Sequence, residues 1–557
     1  MPTANELLRQ GRTEELWQMC CGFLSLNINE FMAIQRRLLE QQLELLNNSP
    51  LGQKVMHGAR PRTLEEFRRL VPLTNYVDYA EDFMEKREDI LPEKRVTWVR
   101  TSGRTGDYPC KWIPMTDVYA EHLSKALYGV GIFSCCRDWG DTDRIPDDTK
   151  LLYGVAPRPY ISGTFADVLR LQTPVKSLPS LEEAEKLTYE ERISKGFQEA
   201  LSFGLDYFFG LSLVLVKVGE KVRDASGNID VRPYLLKPKA LFRLSRGFIK
   251  SLIARRRMLP KDIWSLKGII GSGVDSWVYK EKVKELWGRN PLDLYSCTEG
   301  GVIATQTWDY GGMTFIPNLN FLEFIPEDEL LKSQMDRSYR PKTRLLNEIE
   351  AGQTYEIVIT SFHGGALVRY RVGDLVRITS LRNEKLNINI PQMAFERRTD
   401  DLLNFMVIKL SEKQIWQAME KTGFAYEDWA AYKIPGEPVL HLLVEPKQDV
   451  SEQDKKDFSE SIKTAIVESG RSSYEDSGVQ EDWRDTLDFV VDVTLLNRGT
   501  FARYIRIKQE EGADLAHLKP PHINPPEKAL NILLADAEET IVVTKITEKE
   551  KVKQAVK

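Results

Sequence analysis

Between Val96 and Thr379, short apolar runs alternate with amphipathic ones, and this alternation limits the possible folds more than any other feature of the chain. "LLYGVA", "LSLVLVKV", "KGIIGSG", "MTFIPNLNFLEFI" and "TYEIVIT" read as strands, and segments such as "DSWVYKEKVKELWG" between them carry helical spacing. That order predicts an α/β domain. Ahead of it, "FMAIQRRLLEQQLELL" places Phe31, Ile34, Leu38, Leu39, Leu43 and Leu46 near one face, which predicts a helix docked on its own domain. After Arg398 the composition shifts. "PVLHLLVEP" and "DFVVDVTLL" read as strands around the amphipathic helix "KKDFSESIKTAIVESG", a smaller α+β unit. With 557 residues the chain exceeds one ordinary core. The joint falls in "FERRTDDLL", Phe395 to Leu403, which gives a large domain over 1–397 and a small one over 398–557.

Charge and composition exclude several functions. The net charge is -5 and the Lys and Arg residues form no long basic run, so nucleic acid is not the expected partner. "FFGLSLVLVKVG", the most apolar segment, is too short to span a bilayer and is cut by Lys217, and the N-terminus lacks a secretory pattern; a cytoplasmic protein without membrane insertion is expected. The cysteines include the adjacent pairs Cys20–Cys21 and Cys135–Cys136 but no CxxC spacing, and the histidines are scattered, so neither a disulfide framework nor a zinc site is expected.

Four stretches carry residues with chemistry. "TSGRTGDYPCKW", Thr101 to Trp112, follows the strand-like Val96–Arg100 and precedes the helical "TDVYAEHLSKALYG", and so reads as a strand-to-helix turn. Gly103 and Gly106 let backbone N–H groups converge on an anion, Thr101, Ser102 and Thr105 add hydroxyls, and Lys111 adds charge. The stretch lacks Walker A spacing, and an ordinary surface turn explains it equally well. "DLYSCTEGG" offers a flat ring at Tyr295 for a base, a hydroxyl at Thr298 and, at Glu299, a hard oxygen ligand suited to Mg²⁺. Taken alone it fits a loop with a capping Thr and a solvated Glu better. In "GALVRYRVGDLVRI", Asp374 follows Gly373 at the end of an alternating run, where a carboxylate can accept bonds from both ribose hydroxyls; a hairpin turn is the other reading. The paired Asp residues of "ERRTDDLL" also suit a helix cap or a turn.

The order and spacing of these four stretches resemble the adenylate-forming superfamily, which includes acyl-CoA synthetases, firefly luciferase and nonribosomal peptide adenylation domains. "KGIIGSGVD" resembles that superfamily's Gly-rich adenine-binding stretch and adds Gly271, Ser272 and Gly273. The resemblance covers roughly residues 96–410, and several independent motifs agree in it. Within the superfamily the chain looks most like the auxin-responsive Gretchen Hagen acyl acid amido synthetases and their microbial relatives. "GGALVRYRVGDLVRI" and "RGTFARYIRIKQEEGADLAHLKPPHI" carry that likeness, and Lys519 stands at the family's C-terminal lysine. Arg104, Lys111 and Glu396 depart from the usual patterns: a cation replaces a hydroxyl, the lysine lies further from the glycines, and a Glu replaces a Gly.

The resemblance implies a large adenylate-forming domain with a smaller, mobile α+β lid. It also implies a reaction in which ATP and Mg²⁺ convert a small carboxylic acid to acyl-AMP, whose acyl group passes to an amine, an amino acid in the leading case. CoA is the alternative acceptor, and a catalytically silent binding protein is a further alternative. By the same resemblance Thr101, Ser102, Gly103, Thr105 and Gly106 would hold the β- and γ-phosphates and Glu299 the Mg²⁺. Tyr295 would stack on adenine, and Thr298 would touch the α-phosphate. Asp374, helped by Arg398, would hold the ribose. Lys519 would stabilise charge in the adenylation transition state, and Asp400 would mark the hinge.

Overall fold

The alternating runs become one twelve-stranded mixed sheet. The computed structural model describes residues 2–101, 110–142, 148–187, 189–225, 237–272, 279–335, 339–398, 403–405, 408–410, 412–434, 439–475, 490–510, 522–525 and 527–535. The chain divides into two compact units, Met1–Thr399 and Asp400–Lys557.

In the first unit the strands Val175–Leu178, Thr149–Gly154, Tyr207–Leu211, Gly268–Ser272 and Leu292–Cys297 lie side by side and parallel. From Leu292–Cys297 onward the pairing turns antiparallel, through Gly301–Thr305, Met313–Phe315, Gln392–Arg398, Tyr370–Ser380, Thr354–Ser361 and Asn320–Pro326 to Arg344–Leu345. Among the described residues of this sheet, Leu292–Cys297 is therefore the one strand with a parallel neighbour on one side and an antiparallel neighbour on the other. Helices such as Asp117–Phe133 and Tyr189–Phe203 flank the parallel half, as parallel strands require.

The expected N-terminal helix runs Ile28–Asn47 and starts at a capping box made by Asn27 and Glu30. Its predicted face is buried except that Ile34 is only partly covered. Two glutamines on that face replace apolar contact with bonds to backbone. Gln35 donates to the carbonyls of Pro317 and Asn320 and accepts from Leu322 N; Gln42 donates to Gly365 O (2.8 Å) and accepts from Gly364 N (2.9 Å). A buried Arg makes a second tie. Arg369 grips Glu323 through Nε and Nη2 (3.0 and 2.8 Å), donates to Thr343 Oγ1 (3.1 Å), and caps the carbonyls of Arg68 (3.0 Å) and Val71 (2.6 Å). Its φ is 43°, a left-handed conformation that a non-glycine residue holds only when its surroundings fix it.

Two expectations about elements fail here. "LSLVLVKV" is not a strand: the strand is Tyr207–Leu211, and Ser212–Asp224 is a helix. The reason is spacing, since Ser212, Leu215, Val216 and Gly219 are buried at i, i+3, i+4 and i+7, while the apparent alternation has period two only over a few residues. The stretch after Val96–Arg100 is not a strand-to-helix turn either. Val96–Arg100 pairs antiparallel with Trp112–Thr116, and the helix Asp117–Phe133 follows, with Thr116 Oγ1 accepting from Tyr119 N (3.0 Å) as its cap.

The second unit holds the three-stranded sheet Tyr426–Lys433, Val439–Pro446 and Val490–Leu495, the last two parallel, with the helices Glu412–Thr422 and Glu452–Glu475 packed on it. Trp429, Leu442, Phe458 and Ile462 fill its core. This is the α+β arrangement expected from the sequence.

One histidine pair in the first unit is held neutral. The rings of His122 and His363 stack at 3.8 Å, and the His363 Nε2–H donates to Asn318 O (2.7 Å). Burial first, then the neighbouring His363 and Lys125, lower the His122 pKa to about 4 from the usual 6.5. An unfolded chain takes up this proton near pH 6.5, and the folded one resists until about pH 4. The pair's contribution to stability is therefore complete above pH 6.5 and is lost as pH falls toward 4. We expect the urea midpoint of wild type to drop more steeply between pH 7 and about 4.5 than that of His122→Phe. Parallel curves would remove the pair from the acid response.

Candidate active site

The Thr101–Lys111 stretch closes on itself at its base. Thr101 N donates to Lys111 O (2.9 Å), and Lys111 N donates to Thr101 Oγ1 (3.0 Å). Ser102, Gly103, Arg104, Thr105 and Gly106 lie outside the described residues. The pairing fixes where the stretch begins and ends, and it turns the Lys111 side chain into the interior. Lys111 Nζ donates to Glu299 Oε1 (2.9 Å) and to the Tyr370 hydroxyl (3.0 Å), and the Tyr370 hydroxyl donates to the same Glu299 oxygen (3.3 Å). Side chains of Lys111 and Glu299 are only 8% and 6% exposed, so this is a buried ion pair. Burial first, then Glu299, raises the Tyr370 phenol well above its ordinary pKa and keeps it a donor.

Glu299 sits in the tight connection Thr298–Gly300 between Leu292–Cys297 and Gly301–Thr305. The Gly300 carbonyl accepts from Tyr119 Oη and Asn320 Nδ2, both at 2.7 Å. Gly301 has φ +57°, and a Cβ there would lie 2.8 Å from Tyr119 Oη, so the turn needs glycine. Thr298 is half-buried beside Glu299.

Tyr295, two residues before the end of the same strand, donates through its hydroxyl to Asp374 Oδ2 (2.9 Å), and its ring lies near Phe395 at 6.2 Å. Asp374 is buried, and its place differs from the sequence expectation. It stands neither at a strand end nor in a hairpin turn but inside the strand Tyr370–Ser380. Glu356 pairs with Leu375 and Val358 with Arg371, so Ile357 faces three residues; Gly373, at φ +80°, makes this bulge and re-aims the next side chain. Asp374 and Arg398 are register partners on adjacent strands. Gly271 pairs with Asp293 beside the Tyr295 strand; Ser272 ends the same strand as Gly271, and Gly273 lies outside the described residues.

Asp400 and Lys519 also lie outside the described residues. Three residues after Lys519 the chain is held. His522 stacks on Trp429 at 4.7 Å, with its ring nitrogens at 2.6 Å from Glu412 Oε1 and 2.8 Å from Asp428 Oδ1. Burial disfavours its charge, but the two carboxylates outweigh burial and raise its pKa. Ile523 extends this contact by bridging to Ala431.

Sequence reasoning brought Tyr295, Glu299 and Asp374 into one site, but it missed the Lys111–Glu299–Tyr370 cluster. A signal was present, since a lysine ahead of the apolar strand "WIPM" must find a carboxylate if its head is buried. Among the described residues no three His, Cys, Asp or Glu side chains cluster as a metal cage. A single carboxylate can nonetheless serve Mg²⁺, which binds through one or two carboxylates plus phosphate oxygens, so Glu299 fits that role in kind.

Residues 22–136 match the GH3 family N-terminal domain and residues 313–398 the GH3 family central domain. The 4-substituted benzoates-glutamate ligase GH3.12 of Arabidopsis thaliana is 28% identical over 253 residues, which is 42% of this chain and 39% of that protein. The indole-3-acetic acid-amido synthetase GH3.8 of Oryza sativa subsp. indica is 36% identical over 112 residues, 20% of this chain and 16% of its own. The chain thus aligns with well under half the length of these curated relatives. In three dimensions the acyl acid amido synthetase AtGH3.15 in complex with 2,4-DB superposes with a TM-score of 0.51 at 16% identity, covering 93% of this chain and 96% of that one. A 2-hydroxyisobutyryl-CoA ligase in complex with 2-HIB-AMP and CoA gives 0.53 at 16% identity, covering 85% and 87%. The fold is the one shared by this amido synthetase and this CoA ligase. Two segments, residues 22–136 and 313–398, are thus similar to the N-terminal and central domains of the GH3 family.

The buried ion pair yields a stability test. Lys111→Met removes the buried cation beside Glu299 and should cost about 3–5 kcal/mol in urea unfolding. Adding Glu299→Gln should recover part of that loss. Costs that simply add would show that the two groups do not depend on each other.

Proposed function

We propose that this chain is an ATP-dependent ligase that activates a small carboxylic acid as acyl-AMP, with release of pyrophosphate, and then passes the acyl group to an amine, with release of AMP. The observation that carries this reading is the meeting of Tyr295–Asp374 and Lys111–Glu299–Tyr370 at the strand where the sheet changes from parallel to antiparallel. Open α/β sheets bind ligands outside the carboxyl ends of their parallel strands, and Glu299 follows the carboxyl end of Leu292–Cys297. The GH3 relatives named above, a 4-substituted benzoates-glutamate ligase and an indole-3-acetic acid-amido synthetase, support an amino acid as acceptor.

In this reading Asp374, oriented by the Tyr295 hydroxyl, accepts the ribose hydroxyls, with Arg398 opposite it in register, and the Tyr295 ring and Gly271–Gly273 border adenine. Thr101, Ser102, Gly103, Thr105 and Gly106 wrap the β- and γ-phosphates, and Thr298 meets the α-phosphate. Lys111 keeps the Glu299 carboxylate charged and in place beside them. Glu299 would hold Mg²⁺, whose charge, when it is bound, eases departure of pyrophosphate. Positioning and charge neutralisation are all that in-line attack by a carboxylate requires of the protein.

An apolar cavity of about 70 Å³ suits the body of the acid. It is lined by Leu127, Tyr128, Gly131, Phe165, Phe209 and Leu294, and Leu294 is the neighbour of Tyr295. A Cβ built at Gly131 meets nothing within 4 Å, so a larger side chain there would enter this space. Pyrophosphate release measured across a panel of carboxylates should occur with compact apolar acids. Gly131→Leu should raise KM for the acid by about tenfold or more, with ATP binding retained. Pyrophosphate release with no acid in the panel would sink the enzyme reading. AMP release with CoA and not with amino acids would reassign the acceptor.

Lys519 should separate the half-reactions. Lys519→Ala should slow pyrophosphate release by about 10²–10³-fold, while ATP binding changes far less. Synthetic acyl-AMP with the acceptor should restore product in that variant. Equal slowing from both starting points would show that Lys519 does not act in adenylation.

A further inference from the structure

The helix Pro238–Ile253 is built inside out. Its buried face consists of the small or medium residues Ala240, Leu244, Gly247 and Ser251. Gly247 lies so close to Met258 and Ile263 that a Cβ would come within about 3 Å of both. The large apolar side chains point the other way. Phe242, Phe248, Ile249, Leu252 and Ile253 are each between 52% and 79% exposed. At 100° per residue these five fall on one continuous arc of the helix, not as scattered singletons of the kind any surface carries.

Charge beside that arc is of one sign. Over residues 237–257 there are eight Lys and Arg and no Asp or Glu, in a chain whose net charge is -5. Lys239, Arg246 and Lys250 follow the apolar arc along one flank, and Arg255 closes its end. Some neighbouring cations are already used: Arg243 caps the carbonyls of Leu201 and Ser202, Arg256 pairs with Asp262, and Arg257 with Asp224. Among the described residues, Lys239, Arg246, Lys250 and Arg255 hold no ion pair, so their charge is available to a partner.

An exposed Phe/Ile/Leu arc bordered by cations, with no carboxylate along the helix, complements a surface that is apolar beneath and anionic on top. We infer that Pro238–Ile253 docks this protein on an anionic lipid bilayer, lying in the headgroup plane with Phe242, Ile249 and Ile253 sunk toward the acyl chains. The helix has 16 residues and carries basic side chains, so it lies on a membrane and does not cross one. No described helix is long and apolar enough to span.

The test is flotation of the full-length chain with phosphatidylcholine vesicles and with phosphatidylcholine vesicles that also contain phosphatidylglycerol. Binding is expected to the anionic vesicles, to fall as salt rises, and to be far weaker on phosphatidylcholine alone. Phe242→Ser/Ile249→Ser/Ile253→Ser should weaken anionic-vesicle binding by about tenfold or more. These side chains are exposed, so the thermal midpoint should stay within a few degrees of wild type. As a second variant, Arg246→Gln/Lys250→Gln keeps the apolar arc and should flatten the salt dependence. Failure of wild type to float with anionic vesicles would overturn the inference, as would flotation that the triple serine variant leaves unchanged. A wild-type dimer that the triple variant makes monomeric, without vesicle binding by either, would assign the arc to self-association and overturn it as well.

Discussion

The guanidinium of Arg369 is the fixed point of the first unit. It is buried in a left-handed backbone conformation and donates to a carboxylate on one strand, a hydroxyl beyond that strand and two carbonyls in the segment leading from the N-terminal helices. Five bonds, two of them to the Glu323 carboxylate, offset the desolvation of the charge, whereas a lysine here could satisfy few of these acceptors. The next residue is Tyr370, and the strand it begins carries Asp374. The sheet, the helical layer and two of the site's side chains thus take their relative placement from one side chain. The Lys111–Glu299 pair is the second such tie. It joins the end of the Gly-rich stretch to the switch strand across 188 positions of sequence.

Most of the elements were legible because their periodicity is strong. The N-terminal helix, the parallel strands and the α+β character of the second unit all follow from apolar spacing and length. The failures occurred where spacing is ambiguous. "LSLVLVKV" is short enough to satisfy both periods, and only the burial of Ser212 and Gly219 with Leu215 and Val216 decides for a helix. The Gly-rich stretch looked like a strand-to-helix turn because "WIPMT" is a short strand directly joined to a capped helix, with no loop to mark it.

The site was legible as a set of motifs but not as a set of bonds. Tyr295, Glu299 and Asp374 could be named, yet the bulge at Gly373 and the bond between Tyr295 and Asp374 depend on register, which a local pattern does not encode. Arg369 and Lys111 share a lesson. A cation within an apolar run, as in "GGALVRYRV" or beside "WIPM", implies a distant carboxylate without saying which. The basic apolar helix Pro238–Ile253 escaped notice for a related reason. Its cations are interleaved with Phe, Leu and Ile, so neither a charge run nor a long hydropathic segment stands out.

Gly131 has a consequence for how such a chain changes over generations. No atom lies within 4 Å of a Cβ there, and the residue stands about three turns along its helix from Tyr119, which bonds the Gly300 carbonyl beside Glu299. Codons for alanine and valine are each a single base change from glycine. A lineage can therefore reshape this wall of the cavity in small apolar steps while every charged contact stays as it is. Under the proposed function, substrate preference and bond-forming chemistry are then inherited as nearly separate traits, and the first can drift without endangering the second.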